Sequence, residues 1–357
     1  MEPHDGHWLY SGTAASRLWE KSAIGLLNGN GGLVLSDAEV IFCMNHRGID
    51  IPSDEWLPGR VHSNPSLLQE AAILEALRVP GNKIVLHNNL DAIGISHSGS
   101  WALRWTSNSH PSKDDPVAEV LWYFSKDSLE IQNKSSTLSD WDGSGELETL
   151  LRWSESVCNN GRIAEILVID EEQSVVTYRI QEVDPRGKLE PPTARQLERI
   201  AQMPMDPLSW AGSFIATDDY WPSEAIGIPL HGGRQLDTIE SQIFSSIVSD
   251  TEVEEGSVSS SVLLDLWNRG LNTRSGFKYG TTWRCYSGKI GEGHAPWLVV
   301  DPSREGPIDW AEACLSSRLA SGVNKQWLYP IYDNGKWRYL EISRPPSDSR
   351  WSNPNRH

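Results

Sequence analysis

Gly31-Gly32-Leu33-Val34-Leu35-Ser36-Asp37-Ala38-Glu39 reads as a Gly-Gly turn, a short apolar strand, a serine N-cap and the start of a helix. Glu39 stands three residues beyond Ser36, which is the capping-box spacing. The pattern returns in Gly232-Gly233-Arg234-Gln235-Leu236-Asp237-Thr238-Ile239-Glu240, with Asp237 as the cap. Beyond each copy comes a helix with Leu/Ala periodicity, Leu67 to Arg78 and then Ser261 to Arg269. Strand-like runs follow: Ala102–Trp105 corresponds to Trp283–Tyr286, and Val120–Tyr123 to Trp297–Val300. Self-similarity over such a distance predicts a duplicated unit. The expected fold class is α+β (mixed α/β), each copy carrying a small N-terminal α/β subdomain and a C-terminal mixed-sheet subdomain. The first copy is placed at residues 1–157, with subdomains of about 1–62 and 63–157. The second occupies 158–357, with subdomains of about 158–254 and 255–345 and a frayed tail over 346–357.

Local signals fill in this outline. Ile166–Ile169 and Val175–Ile180 read as a hairpin joined by Asp170–Ser174, and Asp184-Pro185-Arg186-Gly187 turns the chain. The Ser/Asp/Gly-rich stretch 133–145 reads as an exposed connection. Pro307 fits the first position of a helix with Ile308, Ala311, Leu315 and Leu319 on one face, capped by Gly322. A strand over Gln326–Tyr332 follows, in which Pro330 predicts an edge or a bulge. Asp333-Asn334-Gly335-Lys336 is a hairpin turn, and Trp337–Ile342 returns antiparallel.

The chain has 357 residues, enough for about two domains, with 38% hydrophobic and 22% charged residues, as in a globular protein. Its net charge of −17 argues against nucleic acid as a partner on bulk electrostatics. Only 10 of its 31 cations are Lys, a balance that life in high salt, where charge attraction is screened, also produces. Cys43, Cys158, Cys285 and Cys314 lie far apart without a CxxC pair, which excludes a zinc ribbon or a disulfide framework and fits a reducing cytoplasm. Met1–Asp5 has no basic start leading to an apolar core, and no stretch approaches 18 apolar residues. No export and no membrane span are expected.

The usual phosphate and metal devices are missing. Gly25–Gly32 matches neither GxGxxG nor GxxxxGK[ST], there is no HExxH, and Asp301 has no paired acidic motif beside it. No metal and no cofactor are expected. What remains is a constellation at the ends of elements: Gly276-Phe277-Lys278-Tyr279-Gly280 entering a strand that ends in Tyr286, His294 ahead of Trp297-Leu298-Val299, and Arg318-Leu319-Ala320 leading to Lys325. Singly, such residues pack, titrate in solvent or sit solvated. Their order inside these flanking motifs is what points to chemistry.

This region resembles the catalytic domain of the archaeal tRNA-splicing endonucleases, through GFKYG, the strand ending in Tyr286, His294 before W-L-V, and R-L-A-x-x-V-x-K ending in Lys325. The two-repeat layout is similar to the homodimeric form, in which a degenerate first unit accompanies a catalytic second unit. The resemblance implies a nuclease-like C-terminal subdomain that cuts precursor tRNA at a bulge-helix-bulge without metal, leaving a 2′,3′-cyclic phosphate and a 5′-hydroxyl. An RNA phosphodiester carries its own nucleophile, the 2′-hydroxyl, so such an enzyme needs a base, an acid and a cation for the crowded phosphorane. By resemblance these are Tyr286, His294 and Lys325. Free tyrosine titrates near ~10, so a basic Tyr286 calls for nearby cations, with Lys278 and Lys325 as candidates.

The same resemblance makes Arg318 a clamp on an extruded base, with Lys278 and Arg284 as further substrate contacts. The second clamp arginine belongs on the last strand, where this sequence departs from the pattern. Alignment through Glu341 puts Ile342 there, between Arg338 and Arg344, and Arg344 is the choice. In the first copy Trp105 stands at the place of Tyr286 and about Ala118 at that of His294. The loop from Ser107 to Pro116 carries Asp114 and Asp115, which by resemblance dock on the catalytic unit of a partner copy. Two other classes stay open: a non-catalytic RNA-binding structural subunit, and a metal-dependent nuclease on a related fold.

Overall fold

The computed structural model describes residues 1–129, 136–141, 145–209, 212–217, 220–249 and 257–345. Parts of the connection 133–145, and the tail 346–357, lie outside the described residues. The architecture is mixed α/β, and the chain divides into two units, residues 1–127 with 152–180, and residues 128–151 with 181–344.

The first unit begins with an antiparallel sheet in the order Glu2–His4, His7–Tyr10, Leu33–Leu35, Leu26–Leu27. Leu33–Leu35 runs into the helix Asp37–Arg47 through the capping box read from the sequence: Glu39 N donates to Ser36 Oγ at 3.2 Å, and Ser36 N donates to Glu39 Oε2 at 3.1 Å. Glu39 Oε1 also accepts from Gly25 N at 2.7 Å, tying the cap to the preceding turn. The helix Leu67–Arg78 has the expected bounds and buries Leu67, Ala71, Ile73, Leu74 and Leu77 in the unit's core. Beyond it lies a sheet ordered Lys83–Leu86, Ala102–Trp105, Ala118–Phe124, Ile163–Ile169, Val175–Val183. Successive pairs in it are antiparallel, antiparallel, parallel and antiparallel. This sheet holds buried ion pairs, Arg104 Nε to Glu165 Oε2 at 2.5 Å and Arg162 Nη1 to Glu119 Oε1 at 2.8 Å.

The second unit has its own antiparallel sheet, Asp206–Pro207, Ser213–Ala216, Gly233–Leu236, Ile228–Leu230. Gly233–Leu236 leads to the helix Thr238–Val248 through the second capping box, in which Glu240 N donates to Asp237 Oδ1 at 2.8 Å and Asp237 N to Glu240 Oε2 at 2.9 Å. After the helix Val258–Asn268 comes a sheet ordered Asn272–Ser275, Trp283–Tyr286, Trp297–Val299, Gln326–Asp333, Lys336–Ser343. It repeats the sequence antiparallel, antiparallel, parallel, antiparallel.

Glu240 is fully buried, and burial together with the Asp237 carboxylate raises its pKa to about 7. A carboxyl raised in the folded state stabilises below its unfolded value and loses that contribution as pH climbs through the folded one. Urea unfolding of the protein is therefore expected to weaken by about 3 kcal/mol between pH 4.5 and 7.5 on this account. Glu240→Gln should leave only the smaller share of Asp237, which burial also raises; an unchanged pH slope in the variant discards the assignment.

Three local expectations shift. The helix expected from Ser261 begins at Val258, because Ser257 Oγ accepts from Ser260 N at 3.1 Å and caps it earlier. The helix expected from Pro307 begins at Trp310, because Asp309 Oδ1 accepts from Glu312 N at 2.9 Å and serves as N-cap. Trp310 and the small residues Ala313, Ser317 and Ala320 together form its buried face, and the larger apolar stripe of Ile308, Leu315 and Leu319 is left outside. Pro330 causes no bulge: pairing with Lys336–Ser343 runs unbroken from Leu328 to Asp333, and the parallel neighbour ends opposite Leu328, before Pro330 would have to donate to it. Asn334 and Gly335 both have positive φ, 50° and 79°, as the tight hairpin requires.

Candidate active site

The strand Asn272–Ser275 returns into Trp283–Tyr286 through a single turn of 3-10 helix, Phe277–Tyr279. Only glycine fits at its base, since a Cβ on Gly276 would meet Thr281 Oγ1 at 2.3 Å and the Thr281 carbonyl at 2.5 Å. Gly276 N donates to Thr282 O at 2.9 Å and Tyr279 N to Gly276 O at 2.7 Å, closing the turn. The returning strand alternates as a half-buried strand should, with Trp283 and Cys285 buried and Arg284 and Tyr286 half-buried on the other face. Burial pushes the Cys285 thiol up, so it packs and does not react.

Register then decides what meets what. Cys285 lies opposite Trp297, and Trp297 opposite Gln326. One step outward stand Tyr286, Pro296 and Lys325, at one end of the sheet and, by strand alternation, on one face. Tyr286 and Lys325 are thus separated by two strand spacings, roughly 10 Å. Gln326 N donates to Pro296 O at 2.9 Å and fixes this level. His294 is exposed in the loop between Tyr286 and Trp297. Lys325 Nζ donates to the carbonyl of Ala295, beside His294, and lies 5.5 Å from the centroid of the Tyr279 ring. Asn324, with φ of 54°, makes the tight bend that presents Lys325.

The other expected contacts are distributed unevenly. The Arg284 guanidinium sits 5.7 Å from the centroid of the Tyr286 ring, next to the base candidate. Lys278 is exposed in the 3-10 turn, next in the chain to Tyr279, whose ring meets Lys325. Arg318 is exposed on the outward face of the helix Trp310–Gly322, and Arg344 is exposed just past the last strand. Ile342 is buried, and Arg338 is engaged by Glu182 at 2.5 Å and Asp333 at 3.0 Å. Two residues escape a reading by type. Tyr279 seats Lys325, and its place in GFKYG was the available signal. Asn272 pairs directly with Tyr286 and is fully buried, its amide oxygen and nitrogen both without a partner among the described residues. Among the described residues no group of three or more His, Cys, Asp and Glu is placed to hold a metal ion, and no helix is long and apolar enough to cross a membrane.

Residues 258–339 match the family model described as tRNA intron endonuclease, catalytic C-terminal domain. This domain belongs to the tRNA intron endonuclease family. The chain is similar to the tRNA-splicing endonuclease of Thermoplasma volcanium, 29% identical over 178 residues, covering 49% of this chain and 53% of that one. The enzyme of Picrophilus torridus is 28% identical over 183 residues, covering 50% and 55%. That of Methanococcoides burtonii is 30% identical over 116 residues, covering 31% and 32%. The chain spans about half the length of the first two curated relatives it matches. Tyr286, His294 and Lys325 all fall inside the endonuclease domain, together with Lys278, Arg284 and Arg318; Arg344 lies past the matched stretch.

The first unit offers the same backbone registers without the side chains. Lys83 pairs with Trp105 as Asn272 does with Tyr286, and Ala118 with Ile163 as Trp297 does with Gln326. By register Ala118 therefore answers to Trp297, and counting back from it puts Asp115 at the place of His294. Trp105 is fully buried and donates from Nε1 to Asp114 O at 2.8 Å, filling the place of Tyr286. Arg162 takes the place of Lys325 and is held by Glu119 and by the Ser96 carbonyl at 2.7 Å. In the acidic loop Asp114 Oδ2 accepts from His110 N at 2.6 Å, so that carboxylate braces its own turn, while Asp115 is exposed.

Proposed function

We propose that this chain is a tRNA-splicing endonuclease that cuts precursor tRNA at bulge-helix-bulge junctions. The observation that carries the reading is the register that sets Tyr286 and Lys325 at one end of one sheet, with His294 in the loop between them, inside the endonuclease domain. Tyr286 takes the proton of the 2′-hydroxyl as its oxygen attacks phosphorus; the P–O5′ bond breaks, and His294 gives its proton to the departing 5′-oxygen. Lysine carries three donors, so Lys325 can hold the Ala295 carbonyl with one and turn the others to the equatorial phosphorane oxygens. The products are a 2′,3′-cyclic phosphate and a 5′-hydroxyl. Incubation with a bulge-helix-bulge RNA in EDTA should give these ends at an undiminished rate. A 3′-hydroxyl product, dependence on added magnesium, or activity only with a second catalytic chain sinks the reading.

The matching strand orders, registers and capping boxes support a duplicated unit, with the first copy, a scaffold, ending near residue 183 and not at the expected 157, because its strands Ile163–Ile169 and Val175–Val183 answer to Gln326–Asp333 and Lys336–Ser343 of the second. With one cutting unit per chain and two junctions per intron, the working form is a homodimer, acting in the cytoplasm, with the acidic loop of one copy docked on the catalytic unit of the other. Asp114 and Asp115, both exposed, carry that contact, with one Asp114 oxygen also accepting from His110 N within the loop. Asp115→Ala should reduce the dimer fraction by light scattering, and an unchanged mass and cutting rate discards the role. The cations Lys278, Arg284, Arg318, Lys325 and Arg344 supply the local attraction for RNA that a net charge of −17 cannot.

A further inference from the structure

Phe277 is 88% exposed, the most exposed of the large hydrophobic side chains among the described residues. It is presented by a braced segment: Phe277 N donates to Ser275 Oγ at 3.3 Å, Gly280 N to Phe277 O at 3.3 Å, and Gly276 and Thr282 close the base. An aromatic ring held in water by a hydrogen-bonded turn is unfavourable for the isolated protein. Its turn neighbours Ser275, Lys278 and Gly280 are exposed and polar or bare, and Tyr279 is half-buried, so Phe277 is the exposed ring of the turn, with a cation next to it in the chain. A protein partner calls for a contiguous apolar patch. An unpaired base calls for a flat ring and a nearby positive charge for its phosphate.

We infer that Phe277 is a stacking platform for one unpaired base of the RNA, with Lys278 on the adjoining phosphate. The inference rests on the reading of the chain as an RNA endonuclease and adds a subsite to it. Continuity with the site sets the location. Tyr279, two residues on in the same 3-10 turn and so roughly 4 Å along its axis, carries the Lys325 ammonium over its ring. Phe277 thus stands on the turn that adjoins the site, on a different side of it from Tyr279, and its base is a bulge nucleotide in the neighbourhood of the cleaved bond.

The test uses the full-length protein and a set of bulge-helix-bulge RNAs in which each unpaired position in turn is 2-aminopurine, whose fluorescence is quenched by stacking. Wild type should quench one bulge position strongly. Phe277→Ala should abolish quenching there alone and raise KM by about 5- to 150-fold, the range for losing one stacked base, with the melting temperature and dimer mass unchanged. Phe277→Trp should restore both, and Phe277→Leu neither. Equal rescue by Leu, a lower dimer mass in Phe277→Ala, or a quench and KM indifferent to Phe277 overturns the platform. Fluorescence reads binding and not cutting, so the two readings fail separately. Quenching at Phe277 without cleavage removes the catalytic reading alone, cleavage without a Phe277-dependent quench removes the platform alone, and neither signal removes both.

Discussion

Single-turnover cleavage by Tyr286→Phe is expected to fall by about 10²- to 10⁴-fold, and His294→Ala by a similar factor, with thermal melting unchanged, because each removes one proton transfer from a step that needs two. Both residues sit where substitution is structurally mild: Tyr286 is half-buried at a strand end and His294 is exposed in a loop. Lys325→Ala should cost at least about 10²-fold through the loss of charge against the phosphorane. Either Ala or Met also frees the Ala295 carbonyl, but Lys325→Met keeps the stem beside Tyr279 and so removes charge and donor without opening a space there. The acid and base roles can be told apart. A substrate with sulfur in place of the bridging 5′-oxygen leaves without a proton, so it should rescue His294→Ala and leave Tyr286→Phe slow. Equal rescue of both, or of neither, contradicts the assigned roles.

The second large effect concerns stability and lies in the first unit. Arg104 and Glu165 are both essentially without solvent exposure and meet at 2.5 Å across that unit's sheet. Removing Glu165 takes a carboxylate from a buried cluster that also holds Arg104 and, directly across the strand pair, Arg179, which costs about 3–5 kcal/mol. Glu165→Leu should therefore shift urea unfolding by that amount, and the double substitution Arg104→Leu with Glu165→Leu should recover only part of it, since Arg179 stays buried opposite position 165. A single-variant loss below about 1 kcal/mol would mean that water reaches the pair despite its burial.

The legible parts of this protein are those governed by neighbours in the chain. Ser36 with Glu39 and Asp237 with Glu240 close their capping boxes as spaced, the helix Leu67–Arg78 begins and ends where its periodicity does, and Asn334-Gly335 turns its hairpin. The errors fall where a distant surface chooses. Leu315 and Leu319 form the larger apolar stripe, yet Trp310 and the small residues Ala313, Ser317 and Ala320 form the buried face, and the stripe is left outside. Pro307 looked like a helix start, but Asp309 offered the first carboxylate to the free backbone donors.

The candidate site divides along the same line. Order and type in the chain singled out Tyr286, His294 and Lys325, and resemblance gave them roles. That Tyr286 and Lys325 share one end of one sheet, that Tyr279 seats the lysine, and that Trp105 and Arg162 stand at the equivalent places of the first unit were decided by strand register. Pairing between strands far apart in the chain depends on how whole faces bury together, and no short window of sequence encodes that. Capping and turn formation depend on groups within a few residues of one another, and these the sequence determined by itself.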